Sequence, residues 1–405
     1  MVRKSEGLIH RLRSRRSGNQ EPTVTWLTNI PTPYRHHRFR ALHLALDERS
    51  CALRVLYMAE TEPHRPWAYD AAEACYPHRV LPGLSLSLAD RPLHFNPSVV
   101  VEALRRPAVM VIGGVSNPTA WMAMAAGNRQ TFTLLGVESN PESERLRAGP
   151  ASWIKGWMIR TADGYCVPGD ASMGYLSRHD KDPTTRPVVR FANIIDETQF
   201  PFRTSAESRA ARHKVRSDWG AGKDTVVVLV PARLEPHKGL DDVAVALESL
   251  QHARRLLLIL AGSGSLEDDL RRRLSNSPAR VVGQMPDREM AQLYAAADVM
   301  MLPSHRDSSP LSVVEALRSG LPLVLSEAVG NAPEALVPGE NGWLVPPRRP
   351  DLLAAALTEI ANTPNERLRE FGRRSERIHR ERFSTAVVIG RAADQLAELA
   401  KAGRS

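Results

Sequence analysis

The chain has 405 residues and only three cysteines, Cys51, Cys75 and Cys166. They lie far apart and no CxxC pair occurs, which argues against a zinc knuckle and a disulfide framework. So sparse a cysteine content fits a reducing, cytoplasmic compartment. No stretch of about 18 apolar residues appears, so nothing reads as a membrane span. Residues 1–20 are basic and lack an apolar run, so they read as a disordered tail and not as a secretory signal. The cluster Arg11, Arg13, Arg15 and Arg16 in that tail offers a peripheral contact with an anionic membrane, on its inner face. There is no short repeat, no DxD motif in an acidic setting, and no interleaving of basic and aromatic residues. A nucleic-acid partner is therefore not expected.

What is present supports folded domains. Hydrophobic residues make up 42% of the chain, enough for real cores. The length suggests two or three domains at roughly 100–200 residues each. The net charge of +9 comes from 54 basic and 45 acidic residues. Such an excess fits an anionic partner, and equally a solvated basic surface.

Two halves share one grammar of apolar strand, polar or glycine loop, and amphipathic helix. In the first half the strands are expected at 24–28, 52–58, 109–112, 131–136, 164–167 and 187–191. A helix is expected over 38–46 after the loop 29–33, and another up to Ala126 after Gly113-Gly114. Residues 198–207 are polar with prolines and read as a linker. In the second half strands are expected at 225–231, 256–261, 280–282, 299–302 and 321–325. Helices are expected at 239–250, 266–274, 287–296, 311–319 and 384–401. Alternation at this spacing predicts parallel sheets. The expected layout is a tail (1–20), a Rossmann-like domain (21–200), a second such domain (201–383), and a C-terminal helix (384–405) crossing back to the first.

Doubly wound sheets bind ligands at the carboxyl ends of their strands. After the strand TVVVLVP comes a loop with Arg233 and Lys238, five residues apart, before a helix. Two cations at a helix start suit a diphosphate. After Val299–Leu302 comes PSHRDSSP, then the helix LSVVEALRS. Pro310 suits its first turn and Ser309 its N-cap. Asp307 and Glu315 are separated by seven residues. Glu315 stands among Val313, Val314, Ala316 and Leu317, so it points into a ligand site or forms a buried salt bridge.

The run PSHRDSSPLSVVEALRSGLPLV resembles the signature of family-4 retaining glycosyltransferases with the GT-B fold, two Rossmann-like domains facing a crevice. VVLVPARLEPHKGLD, LLILAGSGSLEDDL, RVVGQMPDREMAQLYAAADVMMLPS and ENGWLVPP are similar to further segments of that family, in the same order. So are NIPTPYRHHRFRAL and FANIIDETQF in the first half. The resemblance is strong from about Val226 to Pro347 and weaker before it.

The resemblance implies site roles. Arg233 and Lys238 hold the donor diphosphate and stabilise the leaving group. Glu315 accepts from the ribose hydroxyls, and Asp307 from hydroxyls of the transferred sugar. Backbone N–H groups around Ser309, Pro310, Leu311 and Ser312 face the sugar and phosphates. Met285 lies against the base. Pro33, Arg35, Gly113 and Gly114 form an acceptor or phosphate loop in the first domain. No cofactor and no metal are implied; the nucleotide sugar is a co-substrate. The implied reaction moves a hexose-type sugar to an acceptor hydroxyl. The acceptor is open among a glycan, a lipid-linked intermediate and a small aglycone, with exopolysaccharide, cell-envelope or natural-product biosynthesis as the setting.

The sequence departs from the family in three places. Asp307 stands where the family has Glu. Ser309-Pro310 replaces an aromatic-Gly pair. No His follows Val109–Ile112, and His36 and His37 sit instead in the opening segment. These departures keep a catalytically silent partner subunit as an alternative. An epimerase or phosphorylase of the same architecture is another.

Overall fold

The computed structural model describes residues 21–62, 74–88, 91–141, 149–202, 205–250 and 255–403. The expected basic tail and its arginine cluster lie outside the described residues. The first half contains β1 (Thr23–Thr28), α1 (Pro33–Asp47), β2 (Ala52–Tyr57), β3 (His78–Val80), β4 (Leu84–Leu88) and β5 (Arg91–Phe95). It continues with α2 (Val99–Leu104), β6 (Val109–Ile112), α3 (Pro118–Ala125), β7 (Phe132–Gly136), α4 (Pro150–Thr161), β8 (Gly164–Val167), α5 (Asp170–Leu176) and β9 (Val188–Arg190). Seven of these strands form a sheet in the order β3-β2-β1-β6-β7-β8-β9. Its pairings are parallel. β4 and β5 pair separately as an antiparallel hairpin.

All four residues of β6 are buried, as a parallel strand covered on both faces requires. The order turns back at β1–β6, the switch point where a crevice opens. α1 starts earlier than its spacing predicts. Thr32 caps it by accepting from Arg35 N at 3.4 Å, and Pro33 fits the first turn. Arg35, His36 and His37 are thus helical and not in the opening loop. The β4–β5 hairpin and β3 have no counterpart in the sequence reading.

The second half runs α6 (Ala206–Asp218), β10 (Val226–Pro231), α7 (Leu240–Ser249), β11 (Leu256–Ala261), α8 (Glu267–Arg273), β12 (Ala279–Gly283) and α9 (Asp287–Ala296). Then come β13 (Val299–Leu302), α10 (Leu311–Arg318), β14 (Leu323–Ser326), α11 (Ala332–Ala335), β15 (Gly342–Val345), α12 (Pro350–Asn362), α13 (Asn365–Ile378) and α14 (Thr385–Ala402). The second sheet has the order β12-β11-β10-β13-β14-β15. Every residue of β10 is buried, as its unbroken apolar run predicts. The polar segment expected as a linker ends early, because Ser205 caps α6 by accepting from Ser208 N at 3.0 Å.

α14 leaves the second sheet and packs on α1 and the first. Val388, Ile389, Ala392, Ala393 and Leu396 are buried in one cluster with Val24, Phe39, Leu42 and Val55. Burying each large aliphatic side chain contributes about 1.5–3 kcal/mol. Gln395 extends the sheet edge, donating to Val188 O at 3.1 Å and accepting from Arg190 N at 3.3 Å. The chain therefore crosses between the sheets twice, around Asn193–Ser205 and at Phe383-Ser384. Glu197 on the first crossing accepts from Thr385 N at 2.7 Å, just past the second. Arg318 and Arg380 both stack on Phe202, at 3.5 and 4.5 Å from its centroid. No described helix is long and apolar enough to cross a membrane.

Candidate active site

The carboxyl ends of β10 and β13 are drawn together by backbone contacts. Gly239 has φ +71, and a Cβ there would lie 2.1 Å from Pro303 O. Only glycine lets these two loops approach so closely. The loops are then stitched by His305 N donating to His237 O at 2.9 Å. That approach brings the Lys238 ammonium onto the Asp307 carboxylate as an ion pair. Each side chain is 13% exposed, so the pair is shielded from bulk water without being sealed.

Arg233 precedes this pair on the same loop. It is exposed and forms no ion pair with a described residue. His237 lies between Arg233 and Lys238, with Arg306 nearby. Burial and the charges of Lys238, Arg233 and Arg306 push its imidazole down to about 4, against the opposing pull of Asp307. The site therefore carries a positive local potential, with His237 neutral at pH 7.

Glu315 sits on α10, one turn in. It does not form the buried salt bridge that was one of its two expected roles: its partner is the Tyr294 hydroxyl, which donates to Oε2 at 2.7 Å. Burial pushes the Glu315 carboxyl up to about 7, with the Tyr294 bond opposing and Asp287 adding to the rise. α10 itself begins at Leu311. Ser309 does not cap it; Pro310 holds the cap position in extended backbone, with no side-chain bond. Pro310 also lacks an N–H, so the expected run of donors from Ser309 to Ser312 is broken there, and those of the helix itself begin at Leu311.

First-domain residues hold the same loops from across the crevice. Asn140, after β7, donates to Asp307 O at 2.9 Å and to Ala328 O at 3.1 Å. Asn193, after β9, donates to Ser309 O at 2.9 Å. Asn193 in turn accepts from Arg38 Nη1 at 3.1 Å. A Cβ at Gly330 would lie 1.8 Å from Ser308 O, so a bare glycine is needed where the loop after β14 crosses under Asp307. Asn140, Tyr294 and His237 are absent from the sequence-level site. Their only sequence signal is position, at strand ends or beside a motif.

Met285 lies two residues past β12 and is half-buried against the core of the second sheet. In the first domain, Arg35 donates to Ile30 O at 2.7 Å. Gly114 packs on Asn29, which also accepts from Asn117 Nδ2 at 3.4 Å. The segments of Pro33–Arg35 and Gly113-Gly114 therefore converge on one loop. No hydrogen bond or ion pair among the described residues joins them to Arg233 or Lys238.

Residues 211–377 match the family described as glycosyl transferases group 1. The matched segment makes up most of the second domain, which is similar to group 1 glycosyltransferases. The matched segment contains Arg233, Lys238, Asp307 and Glu315. The glycogen synthase of Mycobacterium tuberculosis is 30% identical over 216 residues, 52% of this chain and 48% of the relative. A D-inositol 3-phosphate glycosyltransferase of Saccharomonospora viridis is 34% identical over 242 residues, 56% of this chain and 53% of the relative. The chain thus spans about half the length of these curated relatives. Solved structures extend the likeness of fold to the first domain. The sucrose-phosphate synthase of Thermosynechococcus elongatus aligns over 94% of this chain and 98% of its own, with TM-score 0.67 and 17% identity. HepE of Anabaena, in complex with UDP-glucose, aligns over 93% and 100%, with TM-score 0.68 and 18% identity. The whole chain has the GT-B fold, two Rossmann-like domains facing each other.

Proposed function

We propose that the chain is a retaining glycosyltransferase that moves a hexose-type sugar from a nucleotide sugar to an acceptor hydroxyl. The observation that carries this reading is the cationic cluster of Arg233, Lys238 and Arg306 around neutral His237, beside Asp307. A diphosphate suits that potential. The UDP-glucose in the HepE structure favours a nucleoside diphosphate sugar as the donor class.

In this reading Arg233 and Lys238 neutralise the leaving diphosphate. The N–H groups of Leu311 and Ser312 add the positive end of α10. Glu315 accepts from the ribose hydroxyls, with Tyr294 fixing its orientation. Met285 lies against the base. Asp307 accepts from hydroxyls of the transferred sugar. The acceptor oxygen forms its bond to the anomeric carbon on the face from which the phosphate departs. The bond from that carbon to the phosphate oxygen breaks, and the acceptor proton passes to the same oxygen. The protein's part is positioning and charge. Arg233 and Lys238 supply that charge without a divalent cation. Arg35 and the Gly113-Gly114 turn line the acceptor side. The acceptor is a glycan, a lipid-linked intermediate or a small aglycone.

A thermal-shift screen against UDP-, GDP-, ADP- and dTDP-sugars identifies the donor. Transfer is then followed by release of the free nucleoside diphosphate, with and without EDTA. NMR of the product reads the anomeric configuration, expected to match the donor's. The His237 resonances should titrate at higher pH once the diphosphate is bound. Near-wild-type turnover in both Lys238→Ala and Glu315→Ala would sink the site assignment. Donor binding without turnover would instead favour a silent partner subunit.

A further inference from the structure

One side of the first sheet is covered by α2, α3 and α4, with the β4–β5 hairpin beside them. α3 touches α2, β5 and α4, so the four elements form one surface. Their inner residues fill a core that includes Val99, Ala120, Met158 and Ile159. Their outer surface is apolar as well. On the hairpin, the cross-strand pairs Leu84–Phe95 and Leu86–Leu93 share a face. Leu84 and Leu86 are 66% and 68% exposed, whereas His94 on the other face is buried against Glu62. The Leu-Ser alternation of β4 therefore turns leucine outward. Val101 and Leu104 are exposed on α2.

On α4, Trp153 is 81% exposed and Trp157 38%. Four residues apart, they stand on one helical face. The Arg160 guanidinium folds back over Gly156, within 3.0 Å of where a Cβ would sit. An open groove of about 570 Å3 is lined by Trp153, Trp157, Arg160 and His179. Soluble monomers rarely expose contiguous apolar patches beyond a few hundred Å2, and larger ones mark interaction surfaces.

The charge of these elements is basic. Lys155 and Arg160 lie on α4, Arg105 and Arg106 follow α2, and Arg129 follows α3. The acid of α2, Glu102, is buried and neutralised by Arg54, Arg79 and Arg105. Tryptophan on a helix that also carries Lys155 and Arg160 suits the headgroup layer of an anionic bilayer, where the indole is half wet and the cations meet phosphate. A second copy of the same face would set these cations against one another.

We propose that the outer face of the β4–β5 hairpin, α2 and α4 docks peripherally on an anionic lipid bilayer, with Trp153 and Trp157 seated among the headgroups. The observations behind it are separate from those behind the donor site. In the chain, α4 follows Asn140, which donates to Asp307 O at 2.9 Å.

The test is sedimentation of the full chain with vesicles of phosphatidylcholine alone and of phosphatidylcholine mixed with phosphatidylglycerol. Binding is expected only to the mixed vesicles, weakening with salt. Brominated lipid should quench the tryptophan fluorescence. In Trp153→Ser/Trp157→Ser, partitioning should fall about tenfold or more and the quenching should vanish. Nucleotide binding should not change and unfolding should stay cooperative, since Trp153 is largely exposed and Trp157 partly so. A second variant, with Arg11, Arg13, Arg15 and Arg16 changed to Ser, should keep the quenching. Wild-type protein that ignores the mixed vesicles overturns the proposal. So does a tryptophan variant that binds as wild type. A variant that alters only the oligomeric state would reassign the face to self-association and overturn it equally.

Discussion

Lys238 and Asp307, on loops that follow different strands, form an ion pair at the mouth of the second sheet. The two charges have different duties in the proposed reaction, so substitution should separate them. Lys238→Ala should lower kcat on the order of 100- to 1000-fold by removing charge from the leaving group. Asp307→Ala should leave nucleoside diphosphate binding within about threefold of wild type and lower kcat for sugar transfer about as strongly as Lys238→Ala. Calorimetry with the nucleotide and initial rates with the full donor distinguish the two. Equal loss of nucleotide binding in both would contradict the division.

Glu315 predicts a pH dependence. Its carboxyl is raised from an ordinary 4.5 to about 7. The folded chain therefore holds this proton more firmly than the unfolded chain. The Glu315 contribution to stability should decline as pH rises across that window and level off above it. Donor binding should run the opposite way, tightening as pH rises through about 7, because the carboxylate is the better acceptor for ribose hydroxyls. Glu315→Gln should flatten both profiles. Melting curves and calorimetry from pH 5 to 8 measure them.

Tyr294 acts on that same equilibrium. Its hydroxyl donates to Glu315 and draws the carboxyl pKa down. Tyr294→Phe should move the midpoint of donor binding to higher pH while costing about 1 kcal/mol of stability. A stability loss with an unmoved midpoint would reduce Tyr294 to a packing residue.

Gly239→Ala should cost about 1–3 kcal/mol from the backbone conformation alone. The clash with Pro303 O adds to that. Because the close approach also seats Lys238 on Asp307, activity should fall further than the melting temperature suggests. Gly220→Ala is the control: it shares the positive φ but has nothing within 4 Å of its Cβ. It should destabilise without slowing transfer at a permissive temperature.

Much of the architecture could be read from local chemistry. β6, β8, β11 and β13 coincide with their expected bounds, because each is a short apolar run cut off by Gly, Pro or a polar residue. α10 was misjudged by its cap, since Ser309 and Pro310 are good start signals whose side chains are not used that way. The hairpin escaped notice because its alternation carries leucine on the solvent side, the reverse of the usual inward pattern. The donor-side residues were visible through their order along the chain. The Lys238–Asp307 pair was not, since it depends on a backbone approach at Gly239. Glu315 looked like half of a salt bridge because its apolar neighbours announce burial but do not announce Tyr294, 21 positions away.

The two crossings between the sheets restrict how the crevice can move. A single tether would let one lobe swing and twist freely about the other. Two tethers tied side by side, through Glu197 to Thr385 and through Phe202 to Arg318 and Arg380, behave like the two knuckles of a door hinge. They leave one easy axis, along the line joining them. Opening should therefore bend the molecule about that line, breaking the Asn140 contacts to Asp307 and Ala328 while sparing the core beneath α14.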